Sequence, residues 1–229
     1  MSNVDVHPTR NSTFSVKTLT SLAMLTAVSY VVMVFSKMLP QISGFLQLDL
    51  KDTVITIGGF VFGPLAAAII SIVVAVVEMF TYSDTGIIGC IMNVLATISF
   101  CCTASFIYKK FHTQKGAVAG LAAGVVALTA VMLLWNYLIT PLYMKIDREI
   151  VVAMLPTVFL PFNLVKGGLN MALLLLVYKP VVSALRRAKL IPEPSAEMKP
   201  TIHSTGFILF AVALLATFIA IAMVLMGIL

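Results

Sequence analysis

The stretch Val54 to Val77, VITIGGFVFGPLAAAIISIVVAVV, decides how the chain is laid out. Read as one kinked helix, its 24 residues would extend about 36 Å at the α-helical rise. Read as two shorter helices, it turns back at Gly63-Pro64 after the flexible pair Gly58-Gly59. Proline disfavours a helical residue before it and glycine permits unusual turns, so the residues alone allow both readings.

Outward from this stretch the same texture recurs. Apolar runs cover Leu19 to Phe35, Gly86 to Tyr108, Ala117 to Thr140, Val158 to Tyr178 and Gly206 to Leu229. Of the 229 residues 60% are hydrophobic and only 10% charged, against about a quarter charged in soluble domains. The apolar residues lie in uninterrupted runs instead of at amphipathic spacing, so the sequence predicts an all-α integral membrane protein. At about 20 residues per crossing, the length allows six or seven spans and leaves no room for a soluble catalytic domain.

The net charge of +6 does not point to nucleic acid, because the basic residues sit in the tails and in short segments between spans. They read instead as topology signals. Lys109 to Lys115 carries three lysines and Lys179 to Lys199 five basic residues, which places both on the cytoplasmic side. Thr81 to Thr85 and Pro141 to Thr157 carry Lys145 and Arg148 beside Asp84, Asp147 and Glu149, and are expected to face outward. Counting over the whole chain does not choose between the two readings of Val54 to Val77. The first 17 residues read as an N-terminal tail before an uncleaved first span. Residues 189–205, with LIPEPSAEMKP, read as a linker to a last run without a charged residue, residues 206–229, which looks like an appendage.

Polar side chains inside a bilayer are costly and therefore informative. Asn136, Asn163 and Lys166 fall at depths of about 6, 8 and 12 Å below the outer ends of their runs. Asn93 and Glu78 share that leaflet under either reading of the ambiguous run. Asn163, Lys166 and Asn170 are spaced i, i+3, i+7 on one helix face, with Gly167 and Gly168 beside them. This predicts an outward-open pocket with a few convergent donors and acceptors and apolar walls. An Asn amide reads both a carbonyl and an N–H, whereas Lys only donates. Trp135, Tyr137 and Phe162 are candidate ring faces, or membrane-interface aromatics.

The competing reading pairs Lys166 with Glu78 or Asp84 and leaves the three Asn residues bonding across helices, as in a purely structural subunit. An intramembrane enzyme using Glu78 or Lys166 is a further alternative, but no second catalytic partner or metal set accompanies them in the sequence. There is no phosphate loop, no His-Glu-x-x-His and no histidine in the apolar runs. Cys90, Cys101 and Cys102 read as packing residues, so neither a metal nor an intrinsic cofactor is expected. Ala23 and Ala27 form a small-xxx-small pair that permits close helix approach.

Four segments together resemble a known family: FLQLDLKD at Phe45 to Asp52, GGFVFGPLAA at Gly58 to Ala67, WNYLITPLY at Trp135 to Tyr143 and LPFNLVKGGLN at Leu160 to Asn170. The chain resembles the riboflavin-specific substrate-binding (S) components of energy-coupling factor (ECF) transporters, from about Leu19 to Leu185. The resemblance implies a six-helix unit over residues 18–188 with both ends in the cytoplasm. It reads Gly63-Pro64 as a cytoplasmic turn between two helices and makes the last run an additional helix.

It further implies a non-enzymatic subunit of a bacterial plasma membrane that captures riboflavin outside. Asn136, Asn163 and Lys166 would hydrogen-bond the isoalloxazine edge, and Gly89 and Asn93 match the start of helix four. The segment Leu46 to Asp49 looks like the loop that covers the ligand, with Leu48 in contact and Leu46 and Asp49 in support, as are Glu78 and Asn170. Ala23 and Ala27 align with the alanine motif that docks on a transmembrane coupling subunit, and ATP would be used by two partner ATPases. The chain departs from relatives at LDLKDTV, where Ser-Asp-x-Pro is frequent, and at VVEMF, where a Lys-Asn pair is common. A ligand of another planar, heteroatom-rich kind is the alternative within the same class.

Overall fold

The computed structural model describes residues 15–83, 85–188 and 205–228. The N-terminal tail, Asp84 and nearly all of the expected linker lie outside the described residues. Helix α1, Val16–Ser36, starts where the Ser15 hydroxyl accepts a hydrogen bond from the Thr18 amide, satisfying one of the unpaired first-turn donors.

The ambiguous stretch is two helices, α2 (Lys51–Phe62) and α3 (Pro64–Thr81). Gly63 at the break has φ of 96°, a backbone state open to glycine, and Pro64 opens α3 where no amide donor is needed. With 12 residues, α2 is about 18 Å long and cannot cross a hydrocarbon core by itself. The segment from Lys37 to Leu50 links α1 to it. It folds as a small hairpin in which Ile42 and Leu46 exchange backbone hydrogen bonds of 2.7 and 3.0 Å around a turn at Ser43-Gly44.

Helix α4 (Gly86–Phe111) packs along α5 (Gln114–Met144). The expected outer connection from Pro141 to Thr157 is largely helical instead. α5 continues through Pro141 to a left-handed Lys145, the short α6 (Arg148–Met154) follows, and Leu155–Phe159 forms one wide π-helical turn. Pro156 within the wide turn and Pro161 just after it lack the amide donors of regular helix, and the turn leads into α7 (Leu160–Arg187).

α7 contributes more buried residues than any other described helix and touches α2, α5 and α8 (Thr205–Leu225). Among the described residues six helices are long and apolar enough to cross a membrane: α1, α3, α4, α5, α7 with its leading turns, and α8. The outward faces of these helices are apolar, as at Ile69, Val73, Leu134 and Leu209, which suits contact with lipid. The last helix, read from sequence as an appendage, is packed along α7.

Candidate ligand-binding site

A cavity of about 420 Å³ opens where the hairpin segment, α3, α4, α5 and α7 converge. Its size falls within the range of small-molecule sites, about 300–1,000 Å³. The loop contributes Phe45 to Asp49, α4 contributes Met92, Asn93 and Ala96, α5 contributes Met132 and Asn136, and α7 contributes Phe162, Asn163 and Lys166. Glu78 and Tyr82 close the α3 side. The polar residues singled out by depth are thus brought together. Gly89 is buried against Thr85 in the first turn of α4 and does not line the cavity. Asn170 also lies behind the wall.

The helices fix how these side chains are presented. Asn136 Nδ2 donates to the Met132 carbonyl at 2.7 Å, and its Oδ1 accepts from Thr140 at 2.9 Å. Asn163 Nδ2 donates to the Phe159 carbonyl at 2.8 Å, which locks the amide orientation and leaves Oδ1 without a hydrogen bond among the described residues. Lys166 is buried, and its ammonium makes no hydrogen bond or ion pair among the described residues. Its charge nevertheless acts on Asp49 and Asp52. Of the three aromatic candidates only Phe162 lines the cavity. Trp135 packs against the core, and the Tyr137 ring lies 5.2 Å from the Arg148 guanidinium.

Asn170 acts as a clamp. Its Oδ1 accepts from the Thr53 amide and hydroxyl, both at 2.9 Å, and its Nδ2 donates to the Asp49 carbonyl at 2.8 Å. One side chain of α7 thereby fixes the end of the loop and the first turn of α2.

Lys166 is not paired with Glu78, the partner considered from sequence, while Asp84 is outside the described residues. Glu78 instead binds Lys37 at 2.9 Å and Lys51 at 2.8 Å, and Lys51 also binds Asp49 at 2.5 Å. Lys51 is 1% exposed and is the central cation that sequence reasoning missed. Its position beside Asp49 and Asp52 in LDLKD was the available signal. Asp52 is equally buried: Oδ1 accepts from Thr97 at 2.7 Å, and Oδ2 has no hydrogen-bond partner among the described residues. Together Asp49, Asp52 and Glu78 balance the formal charges of Lys37, Lys51 and Lys166. At Asp49, burial raises the carboxyl pKa, but the Lys51 and Lys166 ammonium groups outweigh it and hold the group below its ordinary value.

A second, apolar groove runs between α1 and α3, lined by Ala23, Ala27, Tyr30, Ile69, Val73 and Val77. Ala23 and Ala27 are exposed there. Cys101 is buried in the core, with its sulfur 3.1 Å from the Thr56 hydroxyl.

The chain is similar to "Riboflavin transporter RibU" of Staphylococcus aureus (strain TCH60), 29% identical over 178 residues, covering 75% of this chain and 93% of that protein. It is also similar to "Riboflavin transporter FmnP" of Bacillus subtilis (strain 168), 28% identical, covering 76% and 97%. Among solved structures, an S component of a bacterial ECF transporter superposes with a TM-score of 0.63 at 30% identity, covering 75% of this chain and 98% of that one. Residues 17–182 match the family described as "ECF transporter, substrate-specific component". With that match spanning most of the described helices, the chain belongs to the substrate-specific components of ECF transporters.

Proposed function

We propose that this membrane subunit binds riboflavin in the cavity beneath the hairpin and delivers it inward as part of an ECF uptake system. The observation that carries the reading is the pairing of the unbonded Asn163 Oδ1 with the unpaired Lys166 ammonium on one face of α7 at the cavity wall. An isoalloxazine edge alternates carbonyl oxygens with an imide N–H. Asn163 Oδ1 suits the N–H, and Lys166 with the remaining Asn136 amide donor suits the carbonyls. Phe45, Phe162 and Tyr82 supply aromatic contact, Leu46 and Leu48 cover the ring system, and Asn93 completes the polar set. The names of the relatives support the choice of ligand.

Residues 18–188 form the binding unit, 189–205 a linker and 206–229 an added helix. The N-terminal tail of residues 1–17 is cytoplasmic in a bacterial plasma membrane, and the cavity faces outward. The groove at Ala23 and Ala27 receives a transmembrane coupling subunit, and two partner ATPases supply the energy, so this chain performs no catalysis.

Titrating detergent-purified protein against riboflavin while following flavin fluorescence tests the reading. Saturable quenching at one site per chain is expected, because a ring stacked on aromatics and shielded from water loses emission. Lys166→Ala should weaken binding by about 1–3 kcal/mol, the range for a charged hydrogen bond lost from a buried site. No quenching by folded protein overturns riboflavin as the ligand, and an unchanged Kd in the variant removes Lys166 from the site.

A further inference from the structure

The family match ends at residue 182, so α8 lies beyond it. Its less exposed residues Ala211, Leu214, Leu215, Phe218, Ala222 and Leu225 recur at helical spacing and make one face, while Ile208, Phe210, Val212 and Ile219 are exposed. The two halves of that face join different clusters. Phe207, Ala211 and Leu214 belong with the main core. Leu215, Phe218, Ala222 and Leu225 join a separate cluster with Ile42 and Leu48 of the loop and Phe162, Val165 and Leu169 of α7.

Leu48 and Phe162 also line the cavity, so the wall they form there belongs to the cluster that α8 completes. The seating is close: a Cβ on Gly168 would stand 2.2 Å from Phe218 Cζ. The Phe218 ring thus fills the place of a side chain two residues after Lys166. Neither Ala23 nor Ala27 is near this contact, and the α1/α3 groove remains open with α8 in place.

We propose that α8 is a buttress for the covering loop, with Phe218 and Leu225 as positioning residues that set how often the loop opens. The polar anchors that tie the loop to the helices lie at its ends, where the Ser36 hydroxyl accepts from the Leu50 amide, Asn170 holds the Asp49 carbonyl, and Lys37 and Asp49 pair with Glu78 and Lys51, while Gln47 bonds only within the loop, to the Lys37 carbonyl. Its middle is held by apolar contact, with Ile42 1% and Leu48 2% exposed. Opening the loop must separate these side chains from the cluster. The resulting exposure of apolar surface makes the open state rarer than it would be over a bare α7. A ligand beneath the loop leaves only from the open state, so the same contact sets its residence time. This last step rests on the cavity being the ligand site.

The test uses the full-length chain and three variants: Phe218→Ala, Leu225→Ala as a milder change on the same face, and Phe210→Ala on the exposed face. Hydrogen exchange of the ligand-free protein is measured together with riboflavin association and dissociation rates. In Phe218→Ala, amides of residues 42–50 should exchange about tenfold faster with α3, α4 and α5 unchanged, as for a local opening. Riboflavin should dissociate about tenfold faster with little change in association. Leu225→Ala should shift both in the same direction, and Phe210→Ala should match the parent. Loop exchange equal to the parent in Phe218→Ala and Leu225→Ala overturns the proposal, as does a uniform rise across every helix. If the parent chain does not bind riboflavin, the ligand assignment fails, and the exchange comparison still decides the role of α8.

Discussion

Lys51 Nζ stands 2.8 Å from Glu78 Oε2, joining the first residue of α2 to the last turn of α3 with both side chains withdrawn from water. Asp49 holds the same ammonium and Lys37 the other Glu78 oxygen, so each buried charge in this chain of contacts has a partner. Removing one partner is costlier than the net worth of the pair, because the remaining charge stays buried.

Glu78→Gln should therefore lower stability by about 3 kcal/mol, the low end for breaking a buried pair when Lys51 keeps Asp49. Thermal unfolding in detergent measures it. An unchanged midpoint would mean that the contacts between α2 and α3 do not depend on this charge.

Asp49 gives the protein an acid limb. Its carboxyl lies below the ordinary 3.8 in the folded protein, so folding favours the ionised form. That contribution is fully present above the unfolded value and is lost as pH falls through the folded one. Unfolding midpoints should be flat from neutral pH down to about pH 5 and decline below about pH 4. Asp49→Asn should be less stable at neutral pH and show a shallower acid decline.

Asn170→Ala should separate anchoring from ligand contact, because Asn170 does not line the cavity. The change strands the Asp49 carbonyl and leaves the Thr53 amide with only its 3.2 Å bond to the Leu50 carbonyl, for an expected loss of about 2 kcal/mol in stability. Riboflavin binding should weaken as the loop end shifts, and unfolding and quenching titrations on the same sample check both.

Ala27→Leu adds bulk in the α1/α3 groove without touching the cavity. Riboflavin quenching should be that of the parent, while co-purification with the coupling subunit and vitamin uptake by cells should fall. Retained assembly would place the docking surface elsewhere.

Much of the architecture was legible because a bilayer demands long apolar runs, and their lengths and interruptions are visible in one dimension. The gathering of Asn136, Asn163 and Lys166 at one cavity was legible for a related reason: residues at similar distances from the same ends of neighbouring apolar runs come level with one another. Which carboxylate stands beside which lysine was not legible. Glu78 and Lys166 share a leaflet, but the hairpin brings Lys51 between the acids, and no spacing along the chain encodes that insertion. The continuation of α5 through Pro141 also escaped, because proline near a run's end reads as a stop when the final turns can in fact be carried past it. α8 was opaque for a different reason. Apolar on every side, it displays no preferred face, and the glycine that receives Phe218 lies 50 residues earlier in the chain.

The balance of the buried charges bears on energetics that no contact distance reveals. With all six groups ionised, the carboxylates of Asp49, Asp52 and Glu78 and the ammonium groups of Lys37, Lys51 and Lys166, lining the cavity or buried beside it, cancel in formal charge. A subunit that tilts as a rigid body to present its cargo to the other side would carry this set through the membrane's electric field. One uncompensated elementary charge moved across 100 mV is worth about 2.3 kcal/mol. A cancelled set moves no net charge, so the tilt would neither draw on the membrane voltage nor be opposed by it.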